Sequence, residues 1–95
     1  MKVRAILSEF IHNLEDFLSA EAGVDSGIKV VYATEPQKIA DGYVVYGAVS
    51  LLDAQYSFEV RYNKHLKMVE VASQIFWFKR SLKEVKEFLK QVKSH

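Results

Sequence analysis

No cysteine occurs in the 95-residue chain, which excludes a disulfide framework, a thiolate metal site and a thiol nucleophile. Proline occurs once, at Pro36, and glycine four times. So small a supply of turn formers leaves neither a Gly-rich phosphate loop nor a flexible linker, and the sequence predicts one domain over residues 1–95. Long apolar runs are missing as well. The longest, Tyr43 to Leu52, is about half of what a membrane-spanning helix requires. Glu9 and His12 interrupt the apolar stretch that follows Lys2 and Arg4, so no secretory leader is read, and a cytoplasmic protein with no membrane partner is expected.

What is present has the balance of an ordinary folded domain, 49% hydrophobic and 26% charged, far from the composition of a disordered chain. A chain of this size buries only about 60 to 65% of the surface exposed on unfolding, so a second copy or a partner would add substantially to its margin of stability. The formal charge of +1 conceals an uneven distribution. Residues 1–60 carry nine acidic and four basic side chains, a net of −5; residues 61–95 carry nine basic and three acidic, a net of +6. Such polarity suits either an anionic partner or two complementary faces that meet within the fold or across a dimer.

Apolar residues Val3, Leu7, Phe10, Leu14 and Phe17 recur every three to four positions, which predicts a helix from about Lys2 to about Glu21, closed at Gly23. Ile28 to Thr34 is β-branched and aromatic and ends at Glu35-Pro36, predicting a strand followed by an irregular connection to Asp41-Gly42. Tyr43 to Leu52 reads as a strand apolar on both faces, with Gly47 marking a bulge or a close backbone approach. From Gln55 to Tyr62 the alternation is strict: Tyr56, Phe58, Val60 and Tyr62 face one way, Ser57, Glu59 and Arg61 face water. Leu66 to Ser73 predicts a fourth strand in which Val69 and Val71 fall out of phase with Leu66 and Met68, so a bulge near Met68 to Val69, or a strand buried on both faces, is expected. Ser81-Leu82-Lys83-Glu84 has the spacing of a capping box, and Leu82, Val85, Phe88, Leu89 and Val92 continue it as an amphipathic helix. The predicted fold is therefore α+β, in the order α-β-β-β-β-α, with an antiparallel sheet and two helices packed on one face.

Two features outside the core pattern bear on function. Lys79, Lys83, Lys86 and Lys90, continued by Lys93, recur at spacings of three and four, and with Arg80 they form a basic ridge suited to phosphate contact. The same residues also serve as the solvated flank of a core helix, with their stems lying over apolar neighbours. Lys79, Arg80, Lys83 and Lys86 around the start of the last helix give a plan similar to that of double-stranded RNA-binding domains, although the Gly-Pro-x-His loop of that family has no counterpart here. The second feature is the run Ile75, Phe76, Trp77 and Phe78, which cannot all enter one core from a strand. Part of it is expected either beneath the last helix or in a patch that a partner buries.

Groups with catalytic potential are sparse. Glu9, His12 and Asp16 share a helix face but have no matching ligands elsewhere, and they read as solvated surface; no metal, cofactor or catalytic residue is assigned. The expectation is a small protein-interaction module, most simply a homodimer joined through an open sheet face, carrying Val44 and Tyr46 or the opposite side chains of that strand, or through the run Ile75, Phe76, Trp77 and Phe78. The alternative is nucleic-acid binding through Lys79, Arg80, Lys83, Lys86 and Lys90.

Overall fold

The apolar periods resolve into two layers. A computed structural model describes residues 2–93. Helices α1 (Val3–His12), α2 (Leu14–Ala22) and α3 (Leu82–Lys93) lie against a sheet of β1 (Lys29–Ala33), β2 (Gln37–Ile39), β3 (Gly42–Leu51), β4 (Ala54–Asn63), β5 (Met68–Ser73) and β6 (Trp77–Ser81). All pairings are antiparallel. The strand order is β1-β3-β4-β5-β6, with β2 beside β3 along the same edge as β1. The α+β class and antiparallel meander follow the sequence expectation, with two strands more than the pattern revealed. Among the described residues no helix is long and apolar enough to cross a membrane.

The expected N-terminal helix is interrupted at Asn13, whose backbone leaves helical geometry at φ −114° and ψ 17°. Its side-chain amide donates to the Glu9 carbonyl at 2.8 Å, the local competition with backbone bonding that makes asparagine a helix breaker. The bend keeps both flanking aromatics in the core: Phe10 and Phe17 meet edge to face at 5.1 Å, and Phe17 contacts Phe78 and Phe88 at 5.5 Å each. Gly23 closes α2 in a left-handed conformation, its N–H donating to Ser19 and Ala20 carbonyls. Below the helices, Val45, Val49, Phe58, Val60, Val69 and Val71 form the buried floor.

Two local expectations are corrected, and the one at Gly47 is met in its second form. The bulge near Met68 does not exist: β4 and β5 pair in unbroken register from Asn63↔Met68 to Phe58↔Ser73. Leu66 is out of phase because it lies in the turn, 62% exposed, and Val69 and Val71 point inward from a strand that starts after it. Gly47 lies in continuous β3–β4 register; the bulge is on β1 between Val30 and Tyr32, opposite Val49 and Ala48, while Gly47 itself faces Ala33. The close approach expected at Gly47 is present, since a Cβ there would lie 2.5 Å from the Phe58 ring. The connection after Pro36 is partly ordered as β2, which forms a hairpin with β3 in the register Gln37↔Val44 to Ile39↔Gly42.

The capping box is formed in both directions. Glu84 N–H donates to the Ser81 hydroxyl at 3.1 Å, and Ser81 N–H donates to the Glu84 carboxylate at 2.9 Å. The backbone and side-chain bonds from Ser81 hold the Glu84 carboxyl below its ordinary value of 4.5. A depressed carboxyl contributes stability above its unfolded pKa and loses it as pH falls through the folded value. Ser81→Ala is expected to cost about 1 kcal/mol at neutral pH, a fall in thermal midpoint of about 4–8 °C. Melting curves of both proteins at pH 7 and at about pH 3 check it: both midpoints fall in acid, because the Ser81 N–H that the Glu84 carboxylate accepts from is backbone and survives the substitution.

Candidate functional site

All three helices pack on one side of the sheet, so the alternation along each strand defines a second, uncovered face. Cross-strand register assembles that face into rows. One row runs Tyr46, Glu59, Ala72, Trp77 across β3 to β6; the next runs Gln37, Val44, Arg61, Glu70, Lys79 from β2 to β6; a third brings Tyr32, Ala48 and Ser57 together. Tyr32 and Trp77 are 56% and 60% exposed and Tyr46 is 42% exposed. Val44 and Ala48, lying between them, are buried.

Charges on this face are matched locally. Arg61 Nε donates to Glu59 Oε2 at 2.5 Å, and that bond together with the Glu59 charge raises the guanidinium pKa beyond its ordinary value. Trp77 Nε1 donates to Glu70 Oε2 at 2.7 Å, which ties the indole to the neighbouring strand, while Lys79 stands opposite Glu70 in the register. Two carboxylates and two cations thus give a face of zero formal charge with aromatic side chains at its ends. Between Tyr46, Ser57, Glu59, Ala72 and Gln74 lies a shallow depression of about 400 Å³. It is open and carries no nucleophile–base pair, so its chemistry is that of a contact surface.

The residues singled out for an interface divide according to strand parity. Tyr46 and Trp77 reach the uncovered face, and Val44 lies on it beneath its neighbours. Ile75, Phe76 and Phe78 pack against the core on the helix side, with Phe76 and Phe78 stacked at 6.2 Å. The sequence reading missed Tyr32 and the row Arg61, Glu70, Lys79. Its signal for the latter was the water-facing set Ser57, Glu59 and Arg61, which needed the register of β5 and β6 to become a surface.

The five basic residues do not make one ridge. Lys79 is on the uncovered face. Arg80 points to the helix side, 5.6 Å over the Phe78 ring and 2.5 Å from the Glu21 carboxylate. Lys83, Lys86 and Lys90 follow one exposed flank of α3, near Lys93, which is paired with Glu9 at 2.6 Å. That pairing removes Glu9 from the set Glu9, His12 and Asp16, and among the described residues no group of three or more His, Asp or Glu side chains converges. Compared with known proteins, the chain matches no family model, no curated protein and no solved structure.

Proposed function

We propose that the chain is a protein-interaction module of the cytoplasm that self-associates by packing the uncovered sheet faces of two copies together. The observation that carries this reading is the row Tyr46, Glu59, Ala72, Trp77 beside the row Val44, Arg61, Glu70, Lys79. Exposed tyrosine and tryptophan, with an arginine beside them, are the residue types enriched in interface hot spots. Because acids and bases alternate across the same patch, a two-fold axis sets carboxylates of one copy against cations of the other. A strongly acidic or basic partner finds no such match.

Shape and edges support a face-to-face arrangement. The molecule measures 36 × 30 × 18 Å, and its short axis is the depth of one sheet and one helix layer. Stacking two sheets yields four layers, α/β/β/α, in which each sheet is covered on both sides. Edge pairing is disfavoured: β1 is bulged, β2 has three residues, and β6 is a five-residue strand carrying Lys79 and Arg80, all devices that blunt strand edges. The uncovered face spans roughly 24 by 20 Å from strand spacing and rise, so a pair buries roughly 1,000 Å², at the threshold for a specific interface. The association is therefore expected at micromolar concentration and in rapid exchange.

Sedimentation equilibrium from low to high micromolar concentration tests the reading. The expected result is a mass that rises toward two chains, together with a thermal midpoint that increases with concentration. A single-chain mass over the whole range, with a constant midpoint, contradicts it.

A further inference from the structure

The uncovered sheet face holds one carboxylate without a cation. Glu70 accepts from Trp77 Nε1 through Oε2, and among the described residues it forms no ion pair. Arg61 stands directly opposite it in the β4–β5 register, yet the guanidinium turns along its own strand, with Nε and Nη2 donating to Glu59. That leaves Nη1 of Arg61 with no acceptor among the described residues. Between two packed sheets both groups would lose water, so a docked surface has to supply a cation to Glu70 and an acceptor to Arg61.

A second copy supplies both. From β3 to β6 one row reads Tyr46, Glu59, Ala72, Trp77 and the next reads Val44, Arg61, Glu70, Lys79. A two-fold axis along the strands, between β4 and β5, exchanges the first member of each row with the fourth and the second with the third. It sets Arg61 on Glu70 and Trp77 on Tyr46, each pair occurring twice. Two other placements of the axis do worse. Lying across the strands along the row of Arg61 and Glu70, it sets every charge on its like. Lying across them between the two rows, it sets Arg61 on Glu59, but Glu70 then faces Ala72 and is buried without a cation.

Resting on the face-to-face pairing proposed above, we infer that Arg61 and Glu70 make the face specific for a second copy of this chain, joined about a two-fold axis along the β4–β5 seam. Two arginines and two glutamates alternate in sign around that axis, each cation beside one carboxylate in its own sheet and opposite another across the interface. Packed sheets lie about 10 Å apart, a gap that arginine and glutamate side chains span between them. Their strands cross at about 30°, and residues flanking the axis are displaced least by that rotation. Glu59 stays with its own Arg61 and meets the small Ala72. Lys79 falls toward the partner's β2 edge, where its ammonium remains in water. A face of another sequence with the same aromatics but without this order of charges leaves Glu70 unpaired, which is the source of the selectivity.

The test is a pair of charge reversals mixed in solution and followed by sedimentation, with the fold of each variant checked by circular dichroism. A dimer of R61E carries only carboxylates at the seam and a dimer of E70R only cations, so each variant alone is expected to associate about a hundredfold more weakly than the wild type. In an equimolar mixture every carboxylate at the seam faces a cation, and a one-to-one complex within about tenfold of wild-type affinity is expected. R61E mixed with E59R is the comparison, since that mixture recovers fully only about an axis lying across the strands. In the wild type, intermolecular NOEs from the Trp77 indole to the Tyr46 ring give a readout that needs no variant. Four results overturn the pairing and leave the face-to-face reading standing: single variants that associate as the wild type does, no recovery in the first mixture, full recovery only in the second, or NOEs from Trp77 to the partner's Trp77 in place of Tyr46. A wild type that stays a single chain overturns both.

Discussion

Gly42→Ala is expected to lower the thermal midpoint by about 12–24 °C, the equivalent of about 3 kcal/mol in a domain of this length. Two penalties combine. Gly42 has φ 154°, a region L side chains rarely adopt, and a Cβ there would fall inside the contact shell of the Tyr62 backbone carbonyl. The obstacle is backbone in the central β3–β4 ladder, where Gly42 pairs with Asn63, so relief requires shifting two strands. Gly47→Ala is expected to cost less, about 1–3 kcal/mol, although its Cβ would also crowd the Tyr32 backbone carbonyl, because part of the obstruction there is the Phe58 ring, which has some freedom to turn. Thermal denaturation of the two variants checks both magnitudes and their order. A Gly42→Ala midpoint within a degree or two of wild type contradicts this account of the β3 entry, which also sets the register that aligns Val44 and Tyr46 with their neighbours.

Tyr46→Ala and Trp77→Ala are expected to weaken self-association by about thirtyfold each, the effect of about 2 kcal/mol for an aromatic anchor buried in an interface. Both rings are exposed in the single chain, so monomer stability should change by no more than about 0.5 kcal/mol. Loss of the Trp77–Glu70 hydrogen bond adds to the effect on association, since the freed Glu70 carboxylate would be desolvated between the faces. Leu52→Ser supplies the control. Leu52 is 91% exposed in the β3–β4 turn, outside the rows, and its replacement should leave association unchanged. Sedimentation of the four proteins at matched concentrations distinguishes the outcomes. Equal weakening by Leu52→Ser points to nonspecific apolar contact and rules out the ordered face.

Much of this architecture was legible because helix and strand periods differ. The stripe Leu82, Val85, Phe88, Leu89 with Ser81 and Glu84 before it left no alternative to α3, and the strict alternation of Ser57 to Tyr62 identified β4 and its two faces. The break at Asn13 was hidden because an amphipathic stripe continues through it, and the kink is a matter of one side chain competing for one carbonyl. β6 was obscured because Arg80 faces inward. Its long stem packs over Phe78 while its charge reaches Glu21, so a residue that reads as polar occupies the apolar side of the strand. The same change of period explains the divided lysines. Residues 79 and 80 obey the two-residue alternation of a strand and diverge, whereas 83, 86 and 90 obey helical spacing and align. The uncovered face itself was half legible: a water-facing set on β4 and a doubly apolar β3 were visible, but the neighbours of Tyr46 depend on hairpin register, which turn geometry sets.

The reading of this chain as a face-to-face dimer is tested most directly by isotope-filtered NOE spectroscopy on an equimolar mixture of labelled and unlabelled protein. The account predicts intermolecular contacts from the Trp77 indole, the Tyr46 ring and the Val44 methyl groups to the same face of the partner copy. Intermolecular contacts confined to α3 or to the β1 edge, or none at a concentration where sedimentation shows association, would contradict it.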